Sequence, residues 1–126
     1  MSEPQTDVRQ DEAHALERQR FAIHAAVFAA LGNPTRHEMM HVLCERPHTP
    51  GELAAALNVS RPNVSQHLAV LQREGLVKRT RVDGQVLWDV TDRRLGEACR
   101  IFDEVVGRHL ADKVHALEAV DDAGSD

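Results

Sequence analysis

Six polar residues with the chemistry to recognise nucleic-acid bases lie within eight consecutive positions of the chain. They are Ser60, Arg61, Asn63, Ser65, Gln66 and His67. Asparagine and glutamine match the donor and acceptor of an adenine edge, arginine matches guanine, and serine bonds to a base or a phosphate. This concentration predicts a base-reading surface. The alternative is a solvated polar face on which Ser60 only caps a helix.

Basic residues follow this group closely. Lys78, Arg79 and Arg81 precede Asp83-Gly84-Gln85, and Asp-Gly is a strong signal for a two-residue hairpin. Residues 60–82 carry five basic residues and one acidic residue, although the net charge of the whole chain is −5 because both ends are acidic. We expect these cations and Gln85 to meet phosphates, which position a protein on DNA without specifying sequence. An ordinary charged hairpin is the alternative.

The apolar pattern predicts the elements that must position these side chains. Apolar residues that recur every three or four positions indicate helices, and alternation indicates strands. The expected helices cover about 13–31, 35–46, 50–57, 61–74 and 91–117, and the expected strands cover 76–82 and 85–90. Thr49 and Glu52 form a T-x-x-E capping box, and Gly75 suits the end of a helix. The base-reading residues would therefore begin a helix whose buried face carries Val64, Leu68 and Leu71.

The last expected helix is longer than a small domain needs to cover its own core. Apolar residues recur from Leu95 to Leu117 without an intervening proline, and about 27 helical residues would span about 40 Å. The surplus apolar stripe needs another surface, and a second copy of the chain is the simplest one. We therefore expect a homodimer.

Composition sets the domain organisation and excludes several classes of protein. The chain has 126 residues, 42% of them hydrophobic, which suits one domain over 13–119 between a disordered acidic tail, 1–12, and an acidic tail, 120–126. Two cysteines exclude a disulfide scaffold and fit a reducing cytoplasm. The most apolar stretch, 22–31, is too short to cross a membrane. We expect a soluble cytoplasmic protein.

Five sequence motifs in a fixed order carry a resemblance to a known family. They are Ala30–Arg36, Gly51–Ala54, Leu57–Leu68, Leu71–Val77 and Asp83-Gly84. Together they resemble the ArsR/SmtB family of bacterial transcriptional regulators over roughly residues 25–90. The resemblance implies a mainly α fold with a small β-hairpin, the winged helix-turn-helix (α-α-α-α-β-β-α), which dimerises through its first and last helices.

These observations predict a sequence-specific DNA-binding repressor. Helix 61–74 would enter the major groove of an imperfect palindrome, and the wing, 78–86, would contact the backbone. One alternative is a protein-interaction module that keeps the fold without specific DNA binding. Another is a repressor that responds to a metal or a thiol oxidant. No glycine-rich phosphate loop or catalytic motif is present, so we expect no enzyme and no cofactor.

The resemblance also directs attention to metal ligands. The arsenic and cadmium sensors of the family carry Cys-x-Cys at the start of the third helix, where this chain has Thr49–Glu52. Glu104, His115 and Glu118 fit the spacing of the family's zinc sensors, but Glu104 and Phe102 replace the expected His and Asp. Zinc prefers more nitrogen ligands than this set offers. We therefore expect no metal at these positions.

The remaining histidines and cysteines give weaker signals. Cys44 and Cys99 are expected to act as small apolar residues, although a redox pair across the second and last helices stays open. The other histidines show no ligand spacing as a group. They are His14, His24, His37, His41 and His48.

Overall fold

The computed structural model describes residues 7–124, with side chains described through residue 121. The described residues divide into two compact units, and the division falls between Thr91 and Asp92. The first unit holds four helices and a two-stranded antiparallel sheet, and the second holds one long helix. The elements are α1 (Val8–Leu31), α2 (Pro34–Glu45), α3 (Pro50–Leu57), α4 (Arg61–Arg73), β1 (Val77–Val82), β2 (Gln85–Val90) and α5 (Arg94–Gly124). This order confirms the expected fold class.

Both terminal helices extend further than the sequence predicted. The Asp7 side chain caps α1 by accepting a hydrogen bond of 3.1 Å from the Arg9 amide. The expected disordered tail, 1–12, is therefore wrong for residues 8–12, and residues 1–6 lie outside the described part of the chain. Acidic residues suit the first turn of a helix as well as they suit a tail. At the other end, α5 continues through residues 120–124 of the expected acidic tail.

The core of the first unit lies among α2, α3, α4 and the sheet. The predicted buried face of α4 is confirmed, and apolar residues of α2 and α3 are buried beside it: Met39, Met40, Leu43, Leu53, Leu57, Val64, Leu68 and Leu71. Val77, Trp88 and Val90 add the sheet's contribution. In α1 only the last turns take part, where Ala30 is buried and Val27 is half-buried, whereas Leu16, Phe21, Ile23 and Phe28 are exposed. The core therefore anchors α4 along one face and leaves its other face available.

Local capping interactions set the turn between α3 and α4. The Thr49 hydroxyl accepts from the Glu52 amide at 3.1 Å, and the Glu52 carboxylate accepts from the Thr49 amide at 3.2 Å. Asn58 ends α3 in the left-handed conformation, with φ 53° and ψ 48°. Ser60 then caps α4 by accepting from the Asn63 amide at 3.3 Å. Three residues thus reverse the chain between the two helices.

The sheet forms the predicted hairpin. Asp83 and Gly84 have φ of 51° and 78°, as a two-residue turn between twisted strands requires. His48 adds an unexpected bridge: its amide donates to the Trp88 carbonyl at 3.0 Å, and the Trp88 amide donates back at 2.8 Å. This bridge ties the sheet to the connection between α2 and α3.

The second unit is a helix of 31 residues, about 46 Å long. Asp92 precedes it and accepts from the Arg94 amide at 2.9 Å. The guanidinium of Arg94 also donates to this carboxylate and lowers the pKa of Asp92 to about 2. From residue 101 to residue 121 every side chain of α5 is exposed. No described helix is both long and apolar enough to cross a bilayer.

Candidate nucleic-acid interface

The first two turns of α4 present polar side chains away from the core. Arg61, Asn63, Ser65 and Gln66 are exposed, as is Ser60 just before the helix. Val64, Leu68 and Leu71 hold the opposite face of the same helix in the core. Because the buried residues fix the rotation of α4 about its axis, the polar side chains share one accessible surface. The structure thus brings together five of the six residues predicted to read bases.

Ser60 has a structural role in the free protein. Its hydroxyl oxygen accepts from the Asn63 amide, which satisfies one of the open donors at the start of α4. The hydroxyl proton can still donate to a base or a phosphate. Capping and nucleic-acid contact are therefore compatible at this residue.

Arg61 folds back toward the start of α3. A Cβ atom built on Gly51 would lie 2.6 Å from the Arg61 Nη2 atom, so the guanidinium covers the glycine closely. Any side chain at position 51 would push the guanidinium aside. Glycine at this position therefore permits Arg61 to rest against α3 while its side chain stays exposed.

His67 differs from the other predicted base-reading residues. It is half-buried, and its Nδ1 atom lies 3.5 Å from the Arg36 Nη1 atom of α2. Arg36 is held in turn by a 2.6 Å hydrogen bond from its Nε to the Ala30 carbonyl. Burial lowers the pKa of His67, and the positive charge of Arg36 lowers it further. The structure thus directs His67 toward α2 and away from the exposed group.

The wing carries its cations on two faces, as alternation along a strand requires. Arg79 and Arg81 of β1 pair in register with Trp88 and Val86, whereas Lys78 pairs with Asp89. Lys78, Arg79, Arg81 and Gln85 are all exposed. A nucleic acid beside either face would meet at least one cation.

Within the described residues, no ion pair involves Arg61, Lys78, Arg79 or Arg81. In contrast, the Nε atom of Arg73, at the far end of α4, lies 3.6 Å from the Glu74 carboxylate. The start of α4 and the wing therefore keep positive charge that a polyanion can neutralise. We call the exposed residues of these two segments the basic surface: Ser60, Arg61, Asn63, Ser65, Gln66, Lys78, Arg79, Arg81 and Gln85.

The residues considered as metal or thiol switches belong to α2 and α5 and not to the basic surface. Cys44 in α2 and Cys99 in α5 are both half-buried and belong to different units of the chain. Glu104, His115 and Glu118 are exposed along α5. The expectation that Glu104, His115 and Glu118 bind no metal stays a prediction, and the redox pairing of Cys44 and Cys99 stays open.

Sequence reasoning missed one close pair of side chains. His37 and His41 lie one turn apart on α2, and their Nε2 atoms are 3.3 Å apart. The spacing of four residues within a predicted helix was the signal, since positions i and i+4 lie on one helix face.

Comparisons with known proteins agree with this geometry. Residues 33–79 match the family model described as "Bacterial regulatory protein, arsR family". The chain is 36% identical over 102 residues to the HTH-type transcriptional regulator CmtR of Mycobacterium bovis, covering 76% of this chain and 86% of CmtR. It is 32% identical over 88 residues to the transcriptional repressor SmtB homolog of Synechocystis sp., covering 70% of this chain and 67% of that protein.

A solved structure has a similar fold. The homodimeric winged helix-turn-helix DNA-binding domain of Mb0332 from Mycobacterium bovis superimposes with a TM-score of 0.69. The two chains are 20% identical, and the match covers 75% of this chain and 87% of that one. At this identity the likeness establishes a shared winged-helix architecture.

Proposed function

The chain belongs to the ArsR family of DNA-binding transcriptional regulators, and from this premise we propose how it recognises its site. Two copies act together as a repressor. The start of α4 from each copy enters the major groove, and the wings contact the flanking backbone. The basic surface is the observation that supports this proposal. It exposes side chains suited to reading bases together with cations that have no ion-pair partner among the described residues.

We assign different roles to α4 and to the wing from the chemistry and position of their side chains. Asn63 and Gln66 each offer an amide that can pair with adenine, and Arg61 can bond to both acceptors of guanine. Lys78, Arg79 and Arg81 lie on the wing, which would follow the DNA backbone beside the groove, so we assign them to phosphates. Sequence would be read by α4, and the wing would supply affinity that depends on salt.

Exposed apolar residues on the two terminal helices support a dimer. Leu16 and Ile23 of α1 are 65% and 61% exposed, and Val106, Leu110 and Leu117 of α5 are 54–66% exposed. Apolar stripes of this length are unfavourable in water and favour a second apolar surface. The structural relative Mb0332 is described as homodimeric. We propose that α1 and α5 supply the dimer interface here.

A two-fold dimer implies a symmetric operator. Two α4 helices related by a two-fold axis would meet successive major grooves about 34 Å apart, so each half-site is the inverted copy of the other. Such a target is chromosomal DNA, which places the work of the protein in the cytoplasm. We propose no catalytic step and no resident cofactor for this function.

The proposal is tested by selecting bound fragments from genomic DNA and measuring their affinity at two salt concentrations. We expect a fragment containing an imperfect inverted repeat to bind at least about a thousand-fold more tightly than random DNA. The triple variant Arg61→Ala, Asn63→Ala, Gln66→Ala should lose this preference. Gln72→Ala, an exposed residue at the other end of α4, is the matched control and should retain it.

Two results would count against the proposal. Equal affinity for selected and random DNA at both salt concentrations would exclude sequence-specific binding. Retention of the preference in the triple variant would exclude α4 as the reading element. Regulation that persists in cells carrying the triple variant would instead favour the protein-interaction alternative.

A further inference from the structure

We propose that His37 and His41 form a chelating site for a late first-row divalent transition-metal ion on the surface of α2. The two rings belong to successive turns of the helix, with centroids 4.8 Å apart and planes inclined at 74°. Their Nε2 atoms approach to 3.3 Å. These nitrogens face each other across a gap that an ion can bridge.

The distance between the nitrogens suits tetrahedral coordination. Zinc binds imidazole nitrogen at about 2.0–2.1 Å, so two such ligands at a tetrahedral angle lie about 3.3–3.4 Å apart. The observed separation agrees with this value. An ion can therefore enter between the rings without a large movement of either side chain.

The interaction that the ion would replace is a weak one. Two neutral imidazoles whose Nε2 atoms face each other can share only one proton, and 3.3 Å exceeds the usual length of an N–H hydrogen bond. On binding, both Nε2 atoms would present lone pairs and each ring would carry its proton on Nδ1. Two coordination bonds would then replace the long contact between the two Nε2 atoms.

The ligand type selects the class of ion. Imidazole nitrogen suits zinc, nickel and copper, whereas magnesium and calcium require oxygen ligands. Two histidines fill only part of a coordination shell, which leaves positions for water or another donor. The pair on α2 is thus a site for zinc, nickel or copper, and magnesium serves as the negative probe.

The position of the pair in the fold predicts a consequence of binding. Met39 and Leu43 point away from the pair and are fully buried in the core. α2 packs against both α3 and α4, the two helices of the helix-turn-helix. A chelate that spans one turn of α2 would stabilise this helix because it binds only the folded conformation. The inference is independent of the proposed DNA function.

The test titrates the full-length chain with Zn²⁺ and Ni²⁺ and follows both calorimetry and the ¹⁵N shifts of the histidine rings. We expect the Nε2 signals of His37 and His41 to move together, with one ion bound by the pair. His37→Gln and His41→Gln should each weaken binding at least about ten-fold, since chelation becomes attachment by a single group. Mg²⁺ should move neither signal.

Matched variants separate this site from other histidines. His24→Gln in α1 and His115→Gln in α5 should bind zinc as the unchanged chain does, and circular dichroism should show that all four variants remain helical. Zinc affinity that survives both α2 substitutions would overturn the proposal. Loss of the calorimetric signal in His115→Gln alone would assign the ion to α5 and would also overturn it.

Discussion

At the scale of single residues, the start of α4 separates three kinds of polar side chain. Ser60 caps the helix, whereas Arg61, Asn63, Ser65 and Gln66 are exposed without a capping role. His67 belongs to neither kind, because positions 64, 67, 68 and 71 share the helix stripe that faces the protein. Proximity in sequence therefore does not imply membership of the same surface.

The difference between reading bases and neutralising phosphates gives the first prediction at this scale. Gln66→Ala should weaken binding to the selected operator by about 1–3 kcal/mol with little effect on random DNA. Arg79→Ala should weaken both and lower the slope of log affinity against log salt by about one. Fluorescence anisotropy over a salt series measures both effects.

Arg73→Ala provides the control for charge. Arg73 lies on the same helix but beside Glu74 and away from the basic surface, so the salt slope should not change. An equal loss of slope for Arg73 and Arg79 would show that net charge, and not the wing, determines phosphate contact.

At the scale of elements, the reversal between α3 and α4 depends on one backbone conformation. Asn58 has positive φ, and the Val59 amide that follows it donates to the Ala54 carbonyl at 3.1 Å. Asparagine tolerates the left-handed region better than other residues with a Cβ atom, and glycine tolerates it best. The backbone conformation of Asn58 therefore sets the direction in which the chain continues from α3 into α4.

Two substitutions at position 58 test this argument. Asn58→Ala should lower the free energy of unfolding by about 1 kcal/mol, because alanine resists positive φ and lacks a compensating side-chain bond. Asn58→Gly should change it by less than about 0.5 kcal/mol or raise it slightly. Urea unfolding followed by circular dichroism gives both values. Equal destabilisation by the two substitutions would show that the amide side chain matters more than the backbone conformation.

At the scale of the whole molecule, charge and apolar surface are distributed unevenly. The net charge is −5, yet residues 60–82 are basic, and the described apolar residues of α5 beyond position 100 are exposed. A monomer would leave this stripe in water, at a cost of about 1.5–3 kcal/mol for each large side chain that could be buried. In the proposed dimer, association of two copies through their terminal helices would remove this cost and pair the two basic surfaces.

A charge placed within the stripe should separate the copies. Leu110→Glu should convert a dimer into a monomer and abolish preference for the inverted repeat, since an unpaired carboxylate resists burial. Ala119→Glu adds the same charge to another side of α5 and should leave the dimer intact. Sedimentation velocity at micromolar concentration measures the state of both variants. A wild-type chain that sediments as a monomer would contradict the dimer.

Most elements and the wing turn were predictable from the sequence because their causes are local. The capping box of Thr49 and Glu52, the end of α4 at Gly75 and the Asp83-Gly84 turn each depend on residues within four positions of one another. The start of α1 was not predictable from charge alone, because acidic residues suit both an exposed helix and a tail.

Only the tertiary structure determined which backbone and side-chain groups meet across the fold. The bridge from His48 to Trp88 joins positions 40 residues apart, and the approach of His67 to Arg36 joins α4 to α2. The spacing of His37 and His41 was visible in the sequence, but the packing of their rings determined the 3.3 Å separation. Local hydrogen bonding and backbone conformation set the elements, whereas non-local packing decides which polar groups face one another and which remain accessible.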